Sequence, residues 1–327
     1  MQPVSNSAPF SDLAHRASGN LPHEPHAPFC EPVILKTDDA QAPIGVFDSG
    51  VGGLTVLREI QHQLPNESVL YFGDTARLPY GTRSEGELLQ FVREILTWMA
   101  EQRVKMVVVA CNTSSAKALD VVRAEFPMPI LGVILPGARA AVRRGRRIGV
   151  IATPFTAASD AYRRAIHEID EAIAVWQVGC PEFVPLIEQN RVHDPYTRQV
   201  AQRYLEPLIQ AQIDTLVFGC THYPHLEPVL RSLLPPTVQF VDPAVHVVQA
   251  AARELDLLGL RNLSANRTAR FCVSGCPESF AQLSQQWLGY LPSTEQVDLA
   301  ASTPALPMAR AIPEGFASRI APLETSE

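Results

Sequence analysis

Two short stretches of this 327-residue sequence end alike. Val107-Val108-Val109-Ala110-Cys111-Asn112-Thr113 and Leu216-Val217-Phe218-Gly219-Cys220-Thr221-His222 each pass from apolar residues through a small residue to a cysteine and a polar turn. An apolar run of this length, bounded by turn residues, reads as a buried strand of a parallel sheet. Cys111 and Cys220 therefore fall where strands give way to helices, at the binding rim of an open α/β sheet. A helix N-terminus there supplies unpaired N–H groups and a positive dipole end, which predicts a lowered thiol pKa. One such cysteine is most simply a small packed hydrophobe. Two in matched turns predict a pair facing each other across a cleft. Opposed thiols can invert a stereocentre: one, as thiolate, takes a proton from carbon while the other delivers one to the opposite face. A group titrating at about 8.5 needs little adjustment for that work. Asp48, on the rim of the first strand, and His222, two residues past Cys220, could each assist a cysteine or meet a substrate ammonium.

The elements that must carry these turns repeat. Ile44-Gly45-Val46-Phe47 reads as a strand ending in the turn Asp48-Ser49-Gly50-Val51-Gly52-Gly53, and Leu54 to Leu64 as a helix with Leu57, Ile60 and Leu64 on one face. That turn lacks the full dinucleotide spacing and the Lys-Ser/Thr of a P-loop, so its glycines point to close backbone approach to a small ligand. A strand at Val69–Phe72, the loop Gly73–Thr82, an amphipathic helix over 85–103, the Cys111 strand and a strand at Ile130–Leu135 follow. The pattern restarts at Ile148-Gly149-Val150. The interval from Ile44 to Val107 is 63 residues, and from Ile148 to Leu216 it is 68. A shared start and similar spacing to a terminal cysteine indicate an internal duplication. Strands alternating with helices place the chain in the α/β class, as two pseudo-symmetric doubly wound parallel-sheet domains with the active site in the cleft between them. The second copy is expected to contain a helix over Ser159–Ile169, a strand at Ile173–Val178 and a helix over Pro195–Gln210. Beyond Cys220 come a helix to Leu234, a strand at Val238–Val241, a helix over Ala244–Leu258 and a strand at Phe271–Ser274.

Composition excludes several classes. A length of 327 residues predicts two domains, or one with tails. A net charge of −7 argues against a nucleic-acid partner. No apolar stretch approaches the ~20 residues of a membrane span. The first 40 residues lack the apolar core of a secretory signal and are too acidic for a transit peptide, which predicts a cytoplasmic protein with reduced thiols. Residues 1–42, rich in Pro and without periodicity, read as a flexible extension, and 300–327 as a loose C-terminal tail. His15, His23 and His26 are irregularly spaced, and Cys272 and Cys276 do not form a Cys-x-x-Cys pair, so no metal is expected. Lys36, Lys105 and Lys117 are the three lysines. None is placed for a Schiff base, so no pyridoxal phosphate, nor any other cofactor, is expected. A cysteine hydrolase with a His base, and a two-lobed small-ligand binding protein, are the alternatives from other classes.

Four motifs in order carry a resemblance: Asp48-Ser49-Gly50-Val51-Gly52-Gly53-Leu54, Gly73-Asp74-Thr75-Ala76-Arg77-Leu78-Pro79-Tyr80-Gly81, Cys111-Asn112-Thr113 and Gly219-Cys220-Thr221-His222-Tyr223-Pro224. Together they strongly resemble the glutamate racemase family of the cofactor-independent aspartate/glutamate racemase superfamily, from about Pro43 to Leu258. The resemblance implies interconversion of L- and D-glutamate, supplying peptidoglycan and hence cell shape, with aspartate as the alternative substrate. It implies Cys111 and Cys220 as the two acid/base residues. Asp48, Ser49, Tyr80, Gly81, Asn112, Thr113, Thr221 and His222 match the substrate-binding positions, with Asp74 and Thr153 as weaker candidates. It also implies that residues 43–138, completed by about 243–290, form one domain and 139–242 the other, and it leaves a homodimer as a candidate assembly. Two features depart from the family pattern: the N-terminal extension, and Leu135 where an acid is often expected.

Overall fold

A computed structural model describes residues 37–299 except Asn266. Residues 1–36 of the N-terminal stretch and the whole 300–327 stretch lie outside the described residues. A short helix, Thr37–Gln41, falls within the stretch read as an extension.

The described strands make two sheets, parallel throughout. The first is built from β1 (Ile44–Asp48), β2 (Val69–Gly73), β3 (Met106–Val109) and β4 (Ile130–Gly132). The second uses β5 (Arg147–Ala152), β6 (Ala174–Gly179), β7 (Thr215–Gly219) and β8 (Gln239–Val241). The chain then returns to the first sheet with β9 (Ala269–Val273) and β10 (Thr294–Gln296). Strand order is β10-β9-β2-β1-β3-β4 in the first sheet and β6-β5-β7-β8 in the second. The core quartet 2-1-3-4 thus recurs as 6-5-7-8, which is the duplication in three dimensions. Every residue of β1, β2, β3 and β7 is buried, as a sheet covered by helices on both faces requires.

The repeated Ile-Gly-Val has a packing cause. A Cβ on Gly45 would meet Met99 Sδ at 3.0 Å and Val104 Cγ1 at 3.3 Å. One on Gly149 would meet Ile213 Cδ1 at 2.8 Å and Leu208 Cδ1 at 3.2 Å. In each copy the crowding side chains come from the helix and turn just before the cysteine strand. The missing side chain lets that helix settle against the sheet and so sets where the cysteine strand begins.

Some helices match their sequence signals closely. Pro195–Gln210 starts at an Asp194 cap, whose Oδ1 accepts from the Tyr196 N–H at 2.8 Å, and Pro243–Leu258 starts likewise at Asp242, with 2.9 Å to Ala244. Gly259, left-handed at φ 66°, ends the latter. Pro243–Leu258 packs on helices Leu54–Gln63 and Ile134–Val142, and so joins the chain after the second sheet to the first. Other expectations are corrected. The strand read over Ile130–Leu135 ends at Gly132, and Leu135 lies half-exposed in the helix Ile134–Val142. The helix read over Ser159–Ile169 is the shorter Ala161–His167, and a separate helix, Pro154–Ala158, precedes it, with Asp160 left-handed at φ 60° between the two. The chain after Cys220 enters a 3₁₀ turn, Tyr223–Leu226, before the α-helix Glu227–Arg231.

Candidate active site

Buried tyrosines pin the glycine-rich turn after β1 and the cysteine turn after β7. Tyr71, on β2, donates from its hydroxyl to the Gly50 carbonyl at 2.8 Å, and its ring lies against Phe271 and Phe280. Tyr223 donates to the Cys180 carbonyl at 2.9 Å, and Phe183 meets it edge-on at 5.2 Å. Aromatic pairs of this kind add about 1 kcal/mol each beyond area burial, enough to hold a turn in one place. The two turns meet at Gly52. A Cβ there would stand 2.2 Å from Thr221 Oγ1 and 2.5 Å from His222 Nδ1. The glycine-rich turn after β1 and the cysteine turn after β7 therefore share one wall.

Cys111 follows β3 by two residues, stands at the N-cap of the helix Asn112–Lys117, and is 5% exposed. Its thiol donates to Ser49 Oγ at 3.9 Å and packs with Tyr80, Phe91 and Phe155. The expectation of a lowered thiol pKa fails here. Burial first, and then the Asp48 carboxylate, push Cys111 up to about 11, although the Ser114 N–H and the Ser49 hydroxyl pull the other way. Six helical residues supply too small a dipole to outweigh the loss of water. At neutral pH this sulfur holds its proton.

Cys220 is 7% exposed and lies 3.7 Å from His222 Nδ1. Nε2 of the same ring is 3.0 Å from Glu188 Oε1. Burial works against a charged imidazole, but the sulfur on one side and the carboxylate on the other outweigh it and raise His222 to about 10. The ring is then an imidazolium at neutral pH, held between sulfur and carboxylate. Sequence reasoning passed over Glu188: it lies on the short helix Phe183–Glu188, 34 residues before His222, with no motif around it.

The other candidates divide. Asp48, at the end of β1, is fully enclosed and accepts from the Gly50 N–H at 3.1 Å. Burial raises its pKa while the His222 charge opposes the rise, so the two are electrostatic neighbours across the shared wall. Ser49 is half-buried beside Cys111. Tyr80 is buried against Cys111 and donates to Asp74 Oδ2. Asp74 itself accepts from Arg77 Nε at 2.7 Å and Ser274 Oγ at 2.7 Å, so its carboxylate anchors the Tyr80 loop. Gly81 is exposed, with open space where a Cβ would stand. Thr113 Oγ1 and Thr156 Oγ1, from opposite halves, are 3.3 Å apart. Thr153 caps the helix Pro154–Ala158, and its hydroxyl donates to Thr156 Oγ1 at 3.0 Å. Tyr162 OH reaches Asn112 Oδ1 at 2.7 Å. Thr156 and Tyr162, like Glu188, carry no motif that would have marked them. Among the described residues no three His, Cys, Asp or Glu side chains are grouped to hold a metal ion. No described helix is long and apolar enough to cross a membrane.

A duplicated parallel α/β scaffold with a buried cysteine at the rim of each sheet fits the racemase class. Residues 44–253 match the Asp/Glu/hydantoin racemase family. A glutamate racemase of Nostoc sp. is 71% identical over 260 residues, 80% of this chain and 89% of that protein. The glutamate racemase of Synechocystis sp. is 69% identical over 256 residues, 78% of this chain and 92% of that one. Among solved structures, the glutamate racemase isoform RacE1 of Bacillus anthracis superposes with a TM-score of 0.77 at 40% identity, covering 80% of this chain and 98% of that chain. The Francisella tularensis glutamate racemase in complex with D-glutamate gives 0.76 at 35% identity, covering 80% and 99%. The chain belongs to the Asp/Glu/hydantoin racemase family, and it is an enzyme rather than a binding protein or a hydrolase.

Proposed function

We propose that this chain interconverts L- and D-glutamate by passing a proton at Cα between Cys111 and Cys220. The observation that carries the reading is the duplicated placement: each sheet has one buried cysteine just past the corresponding strand, β3 or β7, and the Cys220 turn abuts at Gly52 the turn after β1, whose Ser49 accepts from the Cys111 thiol. The glutamate racemases of Nostoc sp. and Synechocystis sp., at 71% and 69% identity, support glutamate as the substrate. In one direction a thiolate takes the Cα proton, the C–H electron pair stays on carbon, and the facing thiol gives its proton to the other face. The first sulfur ends as thiol and the second as thiolate, so the reverse direction starts from the state the forward one leaves. No cofactor is needed for that exchange. Cys111, holding its proton up to about pH 11, is the resting donor, and the Glu188–His222 pair serves the proton traffic at Cys220. Asp48, Ser49, Tyr80, Gly81, Asn112, Thr113, Thr221 and His222 surround the substrate. Residues 43–138 with about 243–290 form one lobe and 139–242 the other. The reaction runs in the cytoplasm, where thiols stay reduced, and supplies D-glutamate for peptidoglycan.

The test is chiral chromatography of L- and D-glutamate with purified protein and its single-cysteine variants. Cys111→Ala and Cys220→Ala are each expected to lose racemisation by at least ~10²-fold while keeping their fold. Each retains one thiol on one face, so each still exchanges the Cα–H of one enantiomer with D₂O, and the two prefer opposite enantiomers. Exchange of the same enantiomer by both, or near wild-type racemisation by either, overturns the two-base assignment.

A further inference from the structure

We infer that Tyr162 is a positioning residue for the substrate: by taking Asn112 Oδ1 it aims the Asn112 amide nitrogen into the cleft, to hold the α-carboxylate of the bound amino acid. This rests on the racemase reading above and adds to it a residue that lies outside every motif.

Tyr162 sits on the helix Ala161–His167, which follows β5, while Asn112 follows Cys111 on the first sheet's side. The bond between them, 2.7 Å from Tyr162 OH to Asn112 Oδ1, therefore crosses from one half of the duplication to the other. Tyr162 is fully buried. Its ring lies beside Gly137, where a Cβ would stand at an ordinary contact distance of 3.5 Å from Tyr162 Cε1. Burial, Asp242 and Cys220 hold the phenol well above its usual titration range, so it keeps its proton and must place it somewhere. Asn112 Oδ1 is its hydrogen-bond acceptor among the described residues.

That requirement orients the amide. With Nδ2 turned to the phenol instead, the Tyr162 proton would face a donor in a site closed to water, and a buried unpaired donor is costly. Asn112 Oδ1 is thus committed to Tyr162. The amide nitrogen has no hydrogen-bond partner among the described residues, yet it is not among the sealed unsatisfied atoms. Its two N–H donors remain open to the cleft beside Cys111. Donors there suit an anion, and the anion every amino-acid substrate brings next to its Cα is the α-carboxylate.

The experiment is a double-mutant cycle on the full chain, with KM and kcat for L- and D-glutamate and calorimetric binding of D-glutamate. Tyr162→Phe removes the hydroxyl alone. It is expected to raise KM and weaken D-glutamate binding about tenfold, the scale of one charge-assisted hydrogen bond, with kcat within about threefold of wild type. Asn112→Ala is expected to weaken binding at least as much, and Tyr162→Phe added to Asn112→Ala to change nothing further. A thermal melt within a few degrees of wild type excludes a general loosening. Unchanged KM and binding in Tyr162→Phe overturn the proposal, as does an effect of equal size in the Asn112→Ala background. A wild-type protein that binds D-glutamate without racemising it would sink the functional reading, while the binding cycle still decides the role of Tyr162.

Discussion

Glu188 shows at the scale of one residue how much of this site depends on neighbours that no motif marks. His222 is charged at neutral pH because a sulfur and a carboxylate flank it in a buried place. Its pKa is about 6.5 unfolded and about 10 folded, so the folded protein binds the extra proton between those values. The stability this contributes is full below pH 6.5 and lost as pH rises through about 10. Glu188→Gln removes one of the two supports and leaves the burial. The variant is expected to lose about 1.5 kcal/mol at pH 7 and to show a flatter fall of unfolding free energy between pH 6.5 and 10. Urea denaturation at half-unit pH steps measures the difference, from which the shared contribution of Cys111 cancels. An unchanged slope would mean that Glu188 does not hold the imidazolium. The cysteines themselves were legible, since a small residue and a polar turn after an apolar run mark a sheet rim wherever they occur. Their environments were not. The thiol of Cys111 is raised where the helix end alone suggested lowering, because desolvation depends on residues such as Tyr80 and Phe91 that approach from elsewhere in the chain.

At the scale of the element, legibility followed the strength of local punctuation. Asp194-Pro195 and Asp242-Pro243 announce their helices because the cap accepts a backbone N–H and proline presets the first turn. Ile130 to Leu135 reads as one apolar run, and periodicity cannot tell a strand from a buried helix start over so few residues. Asp160, left-handed between the helices Pro154–Ala158 and Ala161–His167, accepts at Oδ1 from Gln177 Nε2 at 2.5 Å, a partner on β6 that no local signal announces. Thr153, read as a weaker ligand candidate, works locally as a cap and passes a hydroxyl contact through Thr156 to Thr113. Thr153→Val keeps the shape and removes the oxygen. It is expected to cost about 1 kcal/mol of stability, and Thr153→Ser to restore most of it. Equal melting temperatures for Thr153→Val and wild type would show that the cap contributes nothing. A stability loss that Ser leaves unrepaired would assign the role to the threonine methyl instead.

For the molecule as a whole, the duplication was visible because the same crowding recurs at Gly45 and Gly149, but the return of β9 and β10 to the first sheet was only partly so. β10 lies beyond residue 290, and a three-residue strand of Thr-Glu-Gln has no apolar pattern to announce it. What closes the first sheet at the end away from the cysteines is a buried ion pair. Lys105 precedes β3 and Glu67 precedes β2, their side chains 1% and 1% exposed. Lys105 Nζ also donates to the Leu260 carbonyl at 2.9 Å and the Ala40 carbonyl at 2.6 Å, and Glu67 Oε1 accepts from the Asn262 N–H at 2.9 Å. The pair gathers the chain before β1, the starts of β2 and β3 and the turn after the helix Pro243–Leu258. Burial pulls the Lys105 pKa down while Glu67 opposes it, so each charge is tolerable only beside the other. Lys105→Met leaves Glu67 buried without a counter-charge, which typically costs about 3–5 kcal/mol. Adding Glu67→Gln removes the stranded charge and keeps an acceptor for Asn262, so the double variant is expected to recover at least half of that loss. Both variants should racemise glutamate at the wild-type rate at 25 °C, because the pair lies at the strand ends opposite the cysteines. A double variant no more stable than Lys105→Met would show that the lysine acts through its carbonyl contacts, and a slowed turnover would show that the far end of the sheet is coupled to the site.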